Sequence, residues 1–157
     1  MTTQTRTSEL EAVNTILSTI GESPLNTLSG SLPVDGTIAK NVLSEVSREV
    51  QSQGWHFNTH YKVSLSRDTD NKIPLATNIV RVEIDPRQYS KVSYDIVQRN
   101  NFLYNLAKNE DTFDTNFKDA TAVYLLPFDE IPEQAKRYIT IRSARIFHDR
   151  TLGANTI

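Results

Sequence analysis

The 157-residue sequence contains no cysteine, which excludes a disulfide framework and any thiolate-held metal. No apolar run approaches the ~20 positions that a membrane-spanning helix needs. Residues 1–6 are polar and offer no leader core, so we expect no secretory signal and a soluble protein without a membrane anchor. Glycine is scarce, with five in the chain, and no P-loop, G-x-G-x-x-G or G-x-S-x-G occurs. That argues against a phosphate-cradling loop and a nucleophile elbow. Neither charge sign dominates: 17 Lys and Arg face 19 Asp and Glu, a net −2. The balance lacks the basic excess of a nucleic-acid or acidic-membrane binder.

What is present has a clear periodicity. Ser8 and Glu11 form a capping-box pattern, and Leu10, Val13, Ile16, Leu17 and Ile20 recur at helical spacing up to Gly21. The pattern predicts a helix over 8–20, followed by a Ser-, Gly- and Pro-bearing loop over 22–36. Asp35 then reads as the cap of a second helix, 36–53, with an apolar stripe of Ile38, Ala39, Val42, Leu43, Val46 and Val50 and a stop at Gly54. The first helix is the nearest surface for that stripe. Beyond Gly54 the period drops to two: Tyr61, Val63, Leu65; then Val80, Val82, Ile84; then Val92, Tyr94, Ile96. Turns are expected at 67–72 and 85–88, and a fourth strand at 121–126. Pro132, in the first turn, opens a last helix over 132–149 that is apolar at Ala135, Tyr138, Ile139 and Ile146. The expectation is an α+β fold. Helices pack together, and a small antiparallel sheet is inserted at about 55–128, between the second and third helix, in a single domain spanning 1–157.

Few residues invite chemistry. His56 and His60 are four apart, which in a strand separates them by roughly 13 Å, too far for one ion; His148 is distant in sequence. Asp68 and Asp70 begin like a calcium loop, but Ile73 stands where that loop requires glycine. Glu110, Asp111 and Asp114 could supply paired carboxylates of the glycosidase kind, against the plainer reading of a solvated loop. No cofactor or metal is expected. Arg142 falls near the centre of the third helix's apolar face on an ideal wheel, so it must snorkel, pair with a carboxylate, or meet another chain. Arg145 and Arg150 read as surface charges that could also serve a partner. Trp55 and Phe57 stand where the second helix gives way to strands, and we expect them to lock the two parts together.

Several runs carry a family resemblance. ELEAVNTILSTIGESP at 9–24 is followed by NVLSEVSREVQSQGWHFNT at 41–59. Val97-Gln98-Arg99, Phe102-Leu103-Tyr104, Phe113-Asp114, Asp129-Glu130-Ile131-Pro132-Glu133 and Arg145-Ile146-Phe147-His148-Asp149-Arg150 follow in order. Together these resemble the tail tubular protein A family of podoviruses, over about residues 8–153. The resemblance implies a structural virion protein, not an enzyme. Its copies would form a ring, a dodecamer, between the portal and a tubular protein B-like nozzle, with tail fibres able to dock. The ring would lengthen the DNA ejection channel without binding DNA specifically, in a tail assembled in the host cytoplasm. Relatives continue past Leu152-Gly153 into a helical arm that helps to grip the portal, so that arm is expected to be truncated or absent in this chain. Arg142, Arg145 and Arg150 are then candidate subunit contacts. The alternatives are a tail-associated polysaccharide hydrolase built on the 110–114 loop, and an interaction domain unrelated to phage.

Overall fold

The computed structural model describes residues 3–85, 87 and 94–153. They form three α-helices and five short strands, an α+β arrangement, divided into two compact units: residues 1–50 with 126–157, and residues 51–125.

The first unit is helical. Helix α1, Glu9–Ser18, starts where Ser8 accepts a hydrogen bond from the Glu11 amide at 3.2 Å, as the capping pattern predicts. It closes through Gly21, whose φ of 75° lets the Glu22 amide reach back to the Leu17 carbonyl at 3.2 Å. Ala12, Val13, Ile16 and Leu17 are buried. The loop that follows is not loosely attached. The Asn14 amide donates to the Leu25 carbonyl and accepts from the Leu25 amide, at 3.0 and 2.7 Å. Gly36 makes room for the same leucine, because a Cβ there would come within 2.9 Å of Leu25 Cδ1.

Helix α2, Val34–Gln51, starts two residues earlier than the sequence predicts. The Pro33 carbonyl accepts the Thr37 amide, so Asp35 sits inside the first turn instead of capping it. Ala39, Val42, Leu43, Val46 and Val50 are buried, whereas Ile38, assigned to the same stripe, is exposed. Helix α3, Glu133–Leu152, packs against α1. It runs antiparallel to α2, tied by Arg142 to Glu49 at 2.7 Å and by a two-toothed Arg150–Glu45 pair at 2.7 and 2.9 Å.

The second unit is β-rich. Strands β1 (Thr59–Leu65), β2 (Ile79–Glu83) and β5 (Phe117–Tyr124) form an antiparallel sheet in the order β1-β5-β2. Strands β3 (Ile96–Arg99) and β4 (Phe102–Asn105) form a separate hairpin. The sequence pattern predicts one sheet; the difference arises at Asn100-Asn101. Asn100 takes a φ of 53°, suited to a two-residue hairpin turn, and this turn pairs β3 with β4, a strand that the period-2 pattern does not reveal. Val92, assigned to the third predicted strand, lies outside the described residues. Strand β5 begins four residues before the predicted 121, because Lys118 and Asp119 are exposed in succession and hide the alternation between Phe117 and Ala120. The core of this unit gathers Leu65, Ile73, Leu103 and Phe117 with smaller neighbours. Phe113 and Tyr94 meet Phe117 edge-on, with ring centres 5.6 and 5.3 Å away.

Candidate functional site

The acidic loop is the place where the sequence offers catalytic groups. In the structure Asp111 is paired with Lys72 at 3.1 Å, and the contact raises the lysine pKa through hydrogen bonding and charge. Asp114 accepts a long 3.5 Å hydrogen bond from the Tyr94 hydroxyl. Glu110 is fixed through its backbone, which exchanges bonds with the Asn105 backbone at 2.9 and 3.2 Å. Glu110 and Asp114 border an open depression of about 210 Å³ with Asn71, Tyr94 and Lys108. A glycosidase needs one carboxyl kept protonated near neutral pH by burial. Glu110 and Asp114 are exposed, and Asp111 is held by an ammonium group, so this loop provides no such carboxyl.

The other chemical candidates have structural roles. Asp68 Oδ1 accepts the amides of Asp70 and Lys72 at 2.9 and 3.0 Å, so the calcium-like spacing closes a turn of the backbone. His60 stacks on Tyr124 with ring centres 4.5 Å apart. His148 lies 3.8 Å from the Asp149 carboxylate. Among the described residues no three potential ligands gather around one point.

The arginines are arranged differently from the helical-wheel expectation. The buried face of α3 consists of Lys136, Ile139, Thr140, Ser143, Ala144 and Phe147. Its centre lies about 130° from Arg142 on an ideal wheel. Arg142 is therefore not on the buried face: its side chain is 42% exposed and pairs with Glu49. The expectation went astray because the buried face carries polar residues while Tyr138 and Ile141 are exposed, which shifts the apparent apolar stripe. Glu45 and Glu49 of α2 hold Arg150 and Arg142 within the chain, and the Arg150 contact lowers the Glu45 pKa. Arg145 is exposed and has no ion-pair partner among the described residues.

Two buried polar side chains organise the fold and escape the sequence reading. Lys136 is 2% exposed; its ammonium donates to the Thr7 carbonyl at 2.7 Å and lies 5.6 Å from the centre of the Phe128 ring. The neighbouring Glu133 carboxylate accepts from both the amide and the hydroxyl of Thr7. The segment before α1 is thus clipped to the start of α3. Asn58, fully buried, donates to the carbonyls of Gln51 and Tyr124 at 2.7 and 2.9 Å and accepts from the Trp55 amide at 2.9 Å. Trp55 itself is 45% exposed, so the expectation of a core tryptophan does not hold. The positive φ of Gly54 and the 3₁₀ turn over His56–Asn58 turn the asparagine, and not the indole, inward. The clue in sequence was the last polar residue of QSQGWHFN.

The structure thus presents helices fastened by charge pairs, a tied-down N-terminal segment and no assembled catalytic group among the described residues. A family model described as tail tubular protein matches residues 10–157. The chain belongs to the tail tubular protein family. It is accordingly a structural protein of a podovirus tail. No curated protein matches the chain in a sequence search. No helix among the described residues is long and apolar enough to cross a membrane. For a family of this kind the relevant site is a surface, and the outer face of α3, where Tyr138, Ile141 and Arg145 stand clear of the buried stripe, is the candidate.

Proposed function

We propose that the chain is the adaptor subunit of a short tail, whose copies form a ring, a dodecamer, between the portal and the nozzle. The ring lengthens the channel through which DNA leaves the capsid and provides a docking surface for the nozzle and tail fibres. The observation that carries the reading is the family match over residues 10–157, nearly the whole chain. The residues agree with a passive role. Net charge is −2, so the chain as a whole has no cationic excess to hold passing DNA. The carboxylates of the 110–114 loop are engaged or exposed, which fits a solvated loop better than a hydrolytic centre. Subunits that assemble in the host cytoplasm need no cysteine chemistry, and this chain has none.

Electron microscopy of the purified chain, alone and mixed with its portal protein, tests the proposal. The expected image is a ring stacked coaxially on the portal. A chain that stays monomeric in the presence of the portal would refute it.

A further inference from the structure

Helix α3 has an unusual outer face. Tyr138 and Ile141 are 55% and 44% exposed, and Arg145 lies beside them on the same side of the helix. On an ideal wheel the three fall within about 60° of one another, opposite the buried stripe. Tyrosine and arginine around an aliphatic residue is the composition that contact surfaces favour. Arg145 has no ion-pair partner among the described residues, unlike Arg142 and Arg150.

The same unit carries a surface of opposite charge. The Glu9 amide donates to Asp129 at 3.2 Å, which brings the start of α1 beside the turn before α3. Glu11, Asp129 and Glu130 are all exposed there, and none has an ion-pair partner among the described residues. Arg145 lies twelve residues beyond Glu133 along α3, about 18 Å of helix, so the two charged surfaces are separate places on one unit.

We infer that the Tyr138–Ile141–Arg145 face of one copy docks on the Glu11–Asp129–Glu130 surface of a second copy of this chain. The occupant is a second copy because the complementary charge is carried by the chain itself. Two different surfaces meeting make a heterologous contact, the kind that repeats around a closed ring. The inference rests on the ring reading above and specifies which faces meet. Its electrostatic part weakens as salt rises.

Charge reversal tests it. Arg145→Glu, and separately the pair Glu11→Arg with Glu130→Arg, would be compared with the combination of all three by sedimentation velocity and negative-stain microscopy. All three positions are exposed, so thermal melts at wild-type temperature certify folding. Each single-side reversal is expected to raise the concentration needed for ring assembly by about tenfold or more, and the combination to return it to within about threefold of wild type. Rings that form at wild-type concentration with Arg145→Glu would overturn the inference and leave the ring reading intact. So would a combination no better than either side alone. Intact rings that have lost portal binding would mean that this face meets a different tail protein, which also overturns it. A wild-type chain that forms no ring even with portal removes the ring reading, and this contact with it.

Discussion

Replacing Asn58 with alanine removes three hydrogen bonds at a fully buried position. Gln51 keeps a second bond to its carbonyl, from the Gly54 amide at 3.1 Å. The Tyr124 carbonyl and the Trp55 amide each lose the bond that Asn58 makes to them. A net value of about 1 kcal/mol per bond gives a loss of about 3 kcal/mol. For a chain of this length about 2–4 °C of melting temperature accompanies each kcal/mol, so Asn58→Ala should melt about 6–12 °C lower. Circular dichroism melts and urea titration at equal slope would measure it. Asn58→Asp sharpens the test, because it keeps the shape and the acceptor for Trp55. When ionised, however, the carboxylate faces two carbonyl oxygens and donates nothing. The folded protein therefore favours the protonated acid and raises its pKa above the unfolded value of about 3.9. Stability relative to wild type at the same pH is then best below that value and is lost as pH rises through the folded pKa. A loss under about 1 kcal/mol for the alanine variant, or a pH-independent aspartate variant, would refute the reasoning.

Other perturbations follow from the same geometry. Gly54→Ala places a Cβ 2.3 Å from Arg81 Nη2 at a φ of 78°; the backbone strain alone should cost about 1–2 kcal/mol, so adding Arg81→Ala should restore only part of the melting temperature. Lys136→Ala should cost about 2–4 kcal/mol in a urea titration, whereas Lys136→Met, which refills the volume, should stay within about 1.5 kcal/mol of wild type. Hydrogen bonds from Arg150 to Glu45 and from Thr7 to Glu133 lower both carboxyl pKa values below the ordinary 4.5. Their contribution is therefore present above pH 4.5 and lost as pH falls through the folded values, and melting curves of Glu133→Gln should show a shallower acid decline than wild type. Release of Thr7 in Glu133→Ala should speed tryptic cleavage after Arg6, read by mass spectrometry.

The helices and the α+β class were legible because their signals are local. Ser8 caps α1, and the α2 stripe repeats at helical spacing through Val50. The strands were legible only in part. Strand β4 is four residues long and depends on Asn100 adopting a left-handed turn, which no apolar period announces. The family was legible because its runs extend through both units in order, and the same extent is matched by the family model. Individual roles were not, since they depend on who faces whom. Arg142 looked central to a buried face when apolarity alone was counted. Asn58 looked like an ordinary loop polar residue, although its two carbonyl partners come from positions 51 and 124.

The inversion of α3 has a physical logic that bears on assembly. Its buried face is small around Thr140, Ser143 and Ala144, and α3 is the helix against which α1 packs. Small side chains let two helices approach closely, so size governs that face more than polarity does. The polar atoms it buries are mostly provided for: Thr140 donates to the Lys136 carbonyl at 2.7 Å, and Lys136 reaches Thr7. Ser143 Oγ is buried with no hydrogen-bond partner among the described residues, a penalty that the close packing must offset. With the inner face given to small residues, Tyr138 and Ile141 are left facing solvent, although they are among the larger apolar groups of the helix. An isolated domain would gain by exchanging these outer residues for polar ones. In the ring proposed above, a subunit would gain more by keeping them, because each would be covered once per contact around the assembly. Replacing both with glutamate should therefore leave the melting temperature of the monomer within about 2 °C of wild type, as exposed positions do. If that double variant still assembled as wild type does, the outer apolar pair would need an explanation other than assembly.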